Sequence, residues 1–252
     1  NVSCSISDNN QSAGASNQFP SFSASVDLGS NVILSDVGDC GSGKYLVCGK
    51  FAATLAVGSH SAISASGYDG FALKVDSQGQ VEDLLHLASD GEVTPVASAR
   101  DDDGTIHLTG YFAGKLSGGY LEIESAGQND VFVVSWSKEG NLLNLQSFGG
   151  SGDERSTSAI FLDGALVIGG YFSDSFHYGQ ISQESSGGTD GFVMSVDTFD
   201  FQQVNWFLPL VGSSDGLAND LEVSPDGSLY LGGSFSGSAT MGGVEIVSKG
   251  LS

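Results

Sequence analysis

The sequence predicts an all-β chain assembled from one structural unit used several times. Three observations carry this. A Gly-x-Phe that closes an apolar run recurs at Gly49-Lys50-Phe51, Gly110-Tyr111-Phe112, Gly170-Tyr171-Phe172 and Gly233-Ser234-Phe235, and self-similarity at a fixed period of about sixty residues marks a repeat architecture. An Asp-x-Phe follows each of the first three copies at a constant 18 residues, from Phe51 to Asp69, from Phe112 to Asp130 and from Phe172 to Asp190. No window places apolar residues at i, i+3, i+4 and i+7 over three turns, so no amphipathic helix competes with the strands.

Each element follows from local chemistry. Val2, Cys4 and Ile6 alternate with serines, the period of a half-buried strand. Residues 8–18 are Asn, Ser, Gln and Gly with little to bury, and read as a solvated loop. Residues 19–26 alternate again, and Leu28-Gly29-Ser30 turns the chain into a strand from residue 31. Residues 44–51 form the first Gly-x-Phe strand, entered through Gly41-Ser42-Gly43. The later copies enter through Asp103-Gly104, Asp163-Gly164 and Asp226-Gly227, the turn dipeptide with the strongest hairpin preference.

The later units share one grammar: strand a, an Asp-Gly turn, strand b ending in Gly-x-Phe, a long polar excursion, strand c starting at Asp-x-Phe, a short turn, and strand d. Four antiparallel strands per unit, repeated radially, make a β-propeller. Each blade buries both faces against its neighbours and cannot stand alone. A strand glycine fits where another backbone or a ring comes close, and the Phe two residues later is the expected filler between blades. A β-solenoid has coils much shorter than sixty residues.

The predicted organisation is one domain over residues 1–252: a four-bladed propeller with blades over 29–252. The rule of 18 residues would put the fourth Asp at position 253, one beyond Ser252. Strands c and d of that blade are therefore expected from residues 1–28, which would pair beside the C-terminal hairpin and remove an open edge. The alternative is part of a larger ring.

Composition narrows the function. With 30 acidic and 8 basic side chains the net charge is −22, which repels nucleic acid and anionic lipid. No apolar run approaches the roughly 20 residues of a membrane span. Asn1 at the start, the small number of lysines and the cysteines near the N-terminus suggest an exported protein. Cys4, Cys40 and Cys48 allow one disulfide, and Cys40 with Cys48 is the favoured pair because they flank a Gly-Ser-Gly turn.

The rim carrying the d-to-a and b-to-c loops is the expected binding face. Asp90, Asp153 and Asp215, set among Gly and Ser, are candidate calcium ligands, calcium being the one cofactor suggested; no full calcium-loop spacing is present, and turn capping is the favoured structural reading. Arg100 and Arg155 are candidate anchors for an acidic sugar, with ion pairing as the structural reading. Tyr68, Tyr120, Phe176 and Tyr178 fall in the excursions, where a ring could stack on a sugar or fold down over its own blade. Asp220 and Glu222 are the only acids near an innermost strand that suit glycosidase chemistry, and they share one strand. No Gly-x-Ser-x-Gly, phosphate loop or dinucleotide fingerprint occurs, so no catalytic residue is assigned.

Gly170-Tyr171-Phe172, the loop from Ser185 to Phe192 and Phe148-Gly-Gly-Ser-Gly-Asp153 resemble the repeats of bacterial secreted β-propeller proteins, the SBBP type, over residues 30–252. The resemblance implies export to the cell surface or medium and a place in adhesive or scaffolding proteins. The expected function is a non-enzymatic interaction or adhesion module presenting an acidic rim to an extracellular protein or glycan, with self-association allowed. The alternatives are a polysaccharide-active enzyme at the central channel and a subunit of an extracellular filament.

Overall fold

The computed structural model describes residues 3–7 and 22–250. The expected loop over 8–18, the start of the second strand at Phe19, and Val2 lie outside the described residues. The strands are β1 (Ser3–Ser7), β2 (Phe22–Asp27), β3 (Val32–Gly41), β4 (Lys44–Val57), β5 (His60–Asp76), β6 (Val81–Ser89), β7 (Val93–Arg100), β8 (Ile106–Phe112), β9 (Lys115–Gly118), β10 (Leu121–Glu124), β11 (Asp130–Trp136), β12 (Leu142–Phe148), β13 (Arg155–Leu162), β14 (Ala165–Tyr178), β15 (Ile181–Asp197), β16 (Val204–Gly212), β17 (Gly216–Val223), β18 (Leu229–Phe235), β19 (Ser238–Met241) and β20 (Val244–Val247). All described pairings between these strands are antiparallel and no helix occurs among the described residues.

The repeat is visible as three four-stranded meanders, β3-β4-β5-β6, β7-β8-β11-β12 and β13-β14-β15-β16, followed by the hairpin β17-β18. Their leading strands β3, β7, β13 and β17 pack consecutively in chain order. β1 and β2 pair with each other, and among the described residues neither they nor β17-β18 extend a larger sheet. Val26 and Leu28 nevertheless bury in the cluster of Leu55, Val57 and Phe51, so β2 covers the first meander as β6 covers part of the second.

One device repeats in every leading strand. The ladder slips between Leu34 and Asp36, Pro95 and Ala97, Ser156 and Ser158, and Ala218 and Asp220. Each bulge faces the glycine of a Gly-x-Phe: a Cβ on Gly49, Gly110, Gly170 or Gly233 would sit 2.1, 2.1, 2.3 or 2.4 Å from a carbonyl oxygen of that strand. The ring that fills the remaining space differs from the expectation. It belongs to the Asp-x-Phe, with Phe132 and Phe192 each 2.7 Å from the added atom on Gly110 and Gly170. Phe51, Phe112 and Phe172 are themselves fully buried in the clusters between sheets.

The excursions are ordered hairpins, where the sequence reading had irregular polar segments. β9-β10 pairs onto β6 of the preceding meander, and β19-β20 pairs onto β16. In the third unit the long β14-β15 hairpin reaches back so that His177 bridges Gly149, just past β12. The second, third and fourth units thus clasp the end of the unit before them. Leu116, fully buried among Leu85 and Leu87, shows what the clasp contributes.

Cys40 and Cys48 are free thiols, which corrects the expected disulfide. Cys48 stands opposite Asp36 in the ladder and packs fully buried, while Cys40 lies at the far end of β3 beside the turn. A bridge needs Cα atoms no more than about 7 Å apart, and Cys40 stands four residues along β3 from Asp36, the partner of Cys48. The Cys4 side chain is not among the described side chains.

The close approach at Gly110 sets a prediction. Gly110→Ala should destabilise the protein by about 1–3 kcal/mol, as expected for overfilling a packed interior, whereas Gly232→Ala, with nothing nearer than 3.9 Å, should change stability by no more than about 0.5 kcal/mol. Denaturant unfolding of both variants measures the contrast.

Candidate functional site

The two notable cavities open at the end of the meanders where the β3-β4, β7-β8, β5-β6, β11-β12 and β15-β16 turns emerge. This is the rim opposite the one the sequence pointed to. The first, of about 590 Å³, lies between the second and third meanders and is lined by Asp101, Asp103, Asn144, Gln146, Phe199 and Asp200, with His107 behind.

Its distinctive wall is the β15-β16 turn. In the first two meanders the corresponding turn closes between Asp76 and Gln80 and between Ser137 and Asn141; in the third it closes between Asp197 and Gln203, two residues longer. Asp197 holds this loop by accepting from the backbone N–H of Phe199 at 2.7 Å and of Asp200 at 3.0 Å. The extra residues present Phe199, 93% exposed, beside Asp200 at the mouth, while Phe201 turns inward and is buried. The facing wall is the Asp-Gly turn of the second meander, where Asp101 accepts from Thr105 N–H at 2.8 Å. Carboxylates, side-chain amides and one exposed ring form a wall rich in acceptors with a flat apolar face, which suits a polyhydroxylated ligand.

His107 is fully buried between the rings of Phe161 and Phe201. Its Nδ1 lies 3.0 Å from Ser135 Oγ and its Nε2 3.4 Å from Asp101 Oδ2. Burial holds it below the usual imidazole range, opposed by Asp101.

The second cavity, of about 620 Å³, lies between the first and second meanders and shares Asp103 with the first. Lys44, Lys74, Arg100 and Lys138, half of the chain's eight basic side chains, line it. All four are engaged. Lys44 pairs with Glu82 at 2.7 Å, Arg100 with Asp39 at 3.7 Å and Lys138 with Glu139 at 3.8 Å. Lys74 donates to the Ser137 carbonyl and sits 4.1 Å over the Trp136 ring. Cation and anion alternate here, so the cavity has no free positive field.

The other sequence candidates are dispersed. Arg155 is held by Asp153 at 2.9 Å and lies 4.5 Å over the Tyr111 ring, an ion pair with a stacking partner. Asp220 accepts from Ser158 Oγ at 3.1 Å and Glu222 is exposed; neither lines the two cavities. Asp90 accepts from Lys115 N–H at 2.6 Å and Asp215 from Thr189 N–H at 3.0 Å, each tying a loop to an excursion. Asp153 accepts from Asn129 Nδ2 at 2.7 Å. Among the described residues no three His, Cys, Asp or Glu side chains converge as a metal site would need. Phe176 is fully buried, and the Tyr178 ring packs tilted against Phe148 of the preceding meander with centroids 4.3 Å apart. Burial with nearby Asp200 pushes the Tyr178 phenol up to about 12. Tyr68 and Tyr120 stay exposed, far along the chain from the long turn.

Phe199 and Asp200 carried no weight in the sequence reading. The signal was there as a turn lengthened by two residues and carrying two phenylalanines in a chain that otherwise keeps that connection short.

The depressed His107 predicts an acid effect. The folded state keeps this imidazole neutral while the unfolded chain protonates it near 6.5, so stability holds above that value and is lost as pH falls below it. His107→Gln should flatten the decline in stability between about pH 6.5 and 5, measured by urea unfolding at stepped pH.

Compared with models of known protein families and with curated proteins, the chain matches none.

Proposed function

We propose that this protein is an exported, non-enzymatic glycan-binding module, and that its described sheets belong to a closed four-bladed β-propeller of the SBBP type. The observation that carries the binding role is the lengthened 197–203 turn. It is two residues longer than its counterparts in the other two meanders, and it sets an exposed ring beside carboxylates and amides at a cavity mouth. A ring stacks on the apolar face of a sugar while acceptors and amides take its hydroxyls. The low positive charge and the strongly acidic surface support partners that are neutral or that present hydroxyls.

The propeller reading is supported by the N-terminal hairpin. β1-β2 slips register between Ile6 and Ser7, as the third and fourth strands of the three meanders do at Lys74/Val75, Ser135/Trp136 and Ser195/Val196. Leu28 takes the buried place that Leu87 and Phe148 hold at the end of their strands. β17-β18 has the bulge and glycine of a leading hairpin. The two hairpins are complementary halves of one blade, and joining them would cover the edge of β18. Deleting residues 1–18 should cause aggregation or loss of the folded state in size-exclusion chromatography; a monomer of unchanged stability would reject the closure.

Binding is tested with an array of neutral and acidic glycans followed by calorimetry on the hits. Phe199→Ala or Asp200→Asn should weaken binding about tenfold, the equivalent of roughly 1.4 kcal/mol, while Tyr120→Ala should bind as the parent does. Bound glycans should be recovered intact. Turnover that Glu222→Gln abolishes would instead establish the enzyme.

A further inference from the structure

We infer that Asp130 and Glu154 share one proton at the junction of the second and third meanders, which makes that junction a pH-sensitive latch. The internal repeat supplies the comparison. In the first and third meanders Asp69 and Asp190, the acids of Asp-x-Phe, accept a backbone N–H from the last residue of the fourth strand, Ser89 at 3.2 Å and Gly212 at 3.1 Å. In the second the corresponding donor is Gly150, and it donates to Glu154 Oε2 at 2.7 Å instead. Asp130 accepts from the backbone of the preceding loop, from the Ala126 N–H at 3.1 Å on Oδ2 with the Gly127 N–H beside it. Its Oδ1 and Glu154 Oε1 are both buried without a partner.

Glu154 is also out of character for its place. Read along the leading strands, its position is held by Val32 and Val93, buried apolar residues at 5% and 0% exposure; Glu154 is at 0% and Asp130 at 2%. The two carboxyls flank one glycine: a Cβ on Gly149 would lie 2.7 Å from Asp130 Oδ1 and 2.8 Å from Glu154 Oε2. Among the described residues no Lys, Arg or His pairs with either acid. The charged neighbours are Asp153, already taken by Arg155, and Asp174; His177 reaches the site through its backbone N–H, which donates to the Gly149 carbonyl.

Two ionised carboxylates cannot both be satisfied there, since each can only accept. Protonating Glu154 removes one of the two charges that flank Gly149 and supplies a donor in a site that otherwise holds only acceptors. Burial pushes the Glu154 carboxyl up to about 8, against the Gly150 N–H and with Asp130, Asp153 and Asp174 adding to the rise; burial raises Asp130 as well. The proton belongs to the pair as a unit.

The sign follows from linkage. An unfolded glutamic acid releases its proton near 4.3, whereas the folded pair keeps one up to about 8. Between those values the folded state holds the extra proton, so the folding equilibrium constant falls roughly tenfold per pH unit and levels off above. The test is denaturant unfolding from pH 5 to 9 in chelator for the wild type, Glu154→Gln and Asp130→Asn. Glu154→Gln supplies an amide donor in place of the proton and should lose this slope; Asp130→Asn removes the second charge and should move the upper end of the slope to lower pH, burial still holding Glu154 above an unfolded glutamic acid. Hydrogen exchange at residues 149–155 should quicken in the wild type relative to Glu154→Gln as pH approaches 8. Parallel stability profiles of wild type and Glu154→Gln would overturn the shared proton. So would a stabilisation by millimolar calcium that Glu154→Gln abolishes, since the bridging species would then be a cation.

Discussion

A strand with no solvent face cannot be stable in its own sheet, and this protein is built from such strands. All seven residues of β11 are buried, as are six of the seven in β8. Their side chains alternate between two faces, so each central sheet has apolar surface on both sides and needs a neighbour against each. The bulged leading strands and the close-fitting glycines follow from that need, because neighbouring sheets must approach closely without leaving a gap. At the common 25 cal/mol per Å², the buried phenylalanines together with the more numerous buried Leu, Val and Ile side chains supply the favourable side. The polar groups only decide how the sheets register.

The buried acids show how that registering works. Asp69 and Asp190 bind backbone N–H groups at the end of the last strand and so fix where each meander stops and the next begins. A carboxylate that accepts backbone N–H groups is well placed to end a ladder, since it satisfies donors that a sheet edge would leave open. The chain uses the same residue type for a second purpose at Asp90 and Asp215, which tie loops to excursions. Much of the acidity that looked like a surface property is therefore structural. The long turn at Phe199 stands apart because its exposed ring satisfies nothing within the fold.

The regular parts were legible in the sequence because they recur. Phe51, Phe112 and Phe172 announced the second strand of each meander, and the constant distance to Asp69, Asp130 and Asp190 announced the third. The excursions were not legible as hairpins. Residues such as Lys115, Ser117 and Glu122 are polar because one face meets water, and their pairing partner, β6, lies in another unit. Local pattern cannot show a ladder formed with a distant strand. The same blindness hid the cavities: charge density favoured the loops around Asp90 and Asp153, whereas depth depends on how turns from adjacent meanders face each other. Cys40 and Cys48 were close in sequence, but the bulge in β3 and the register with β4 put them at separate rungs.

The backward clasp gives the molecule a direction. β6 is covered by β9-β10 and β16 by β19-β20, so each meander is finished by residues made after it. A chain emerging from its N-terminus would therefore always trail one incomplete unit, with an open edge that only the next sixty or so residues can close. Assembly in that order behaves like a zipper whose slider runs one tooth behind the growing end, and damage to one clasp would be felt in the unit upstream of the altered residue.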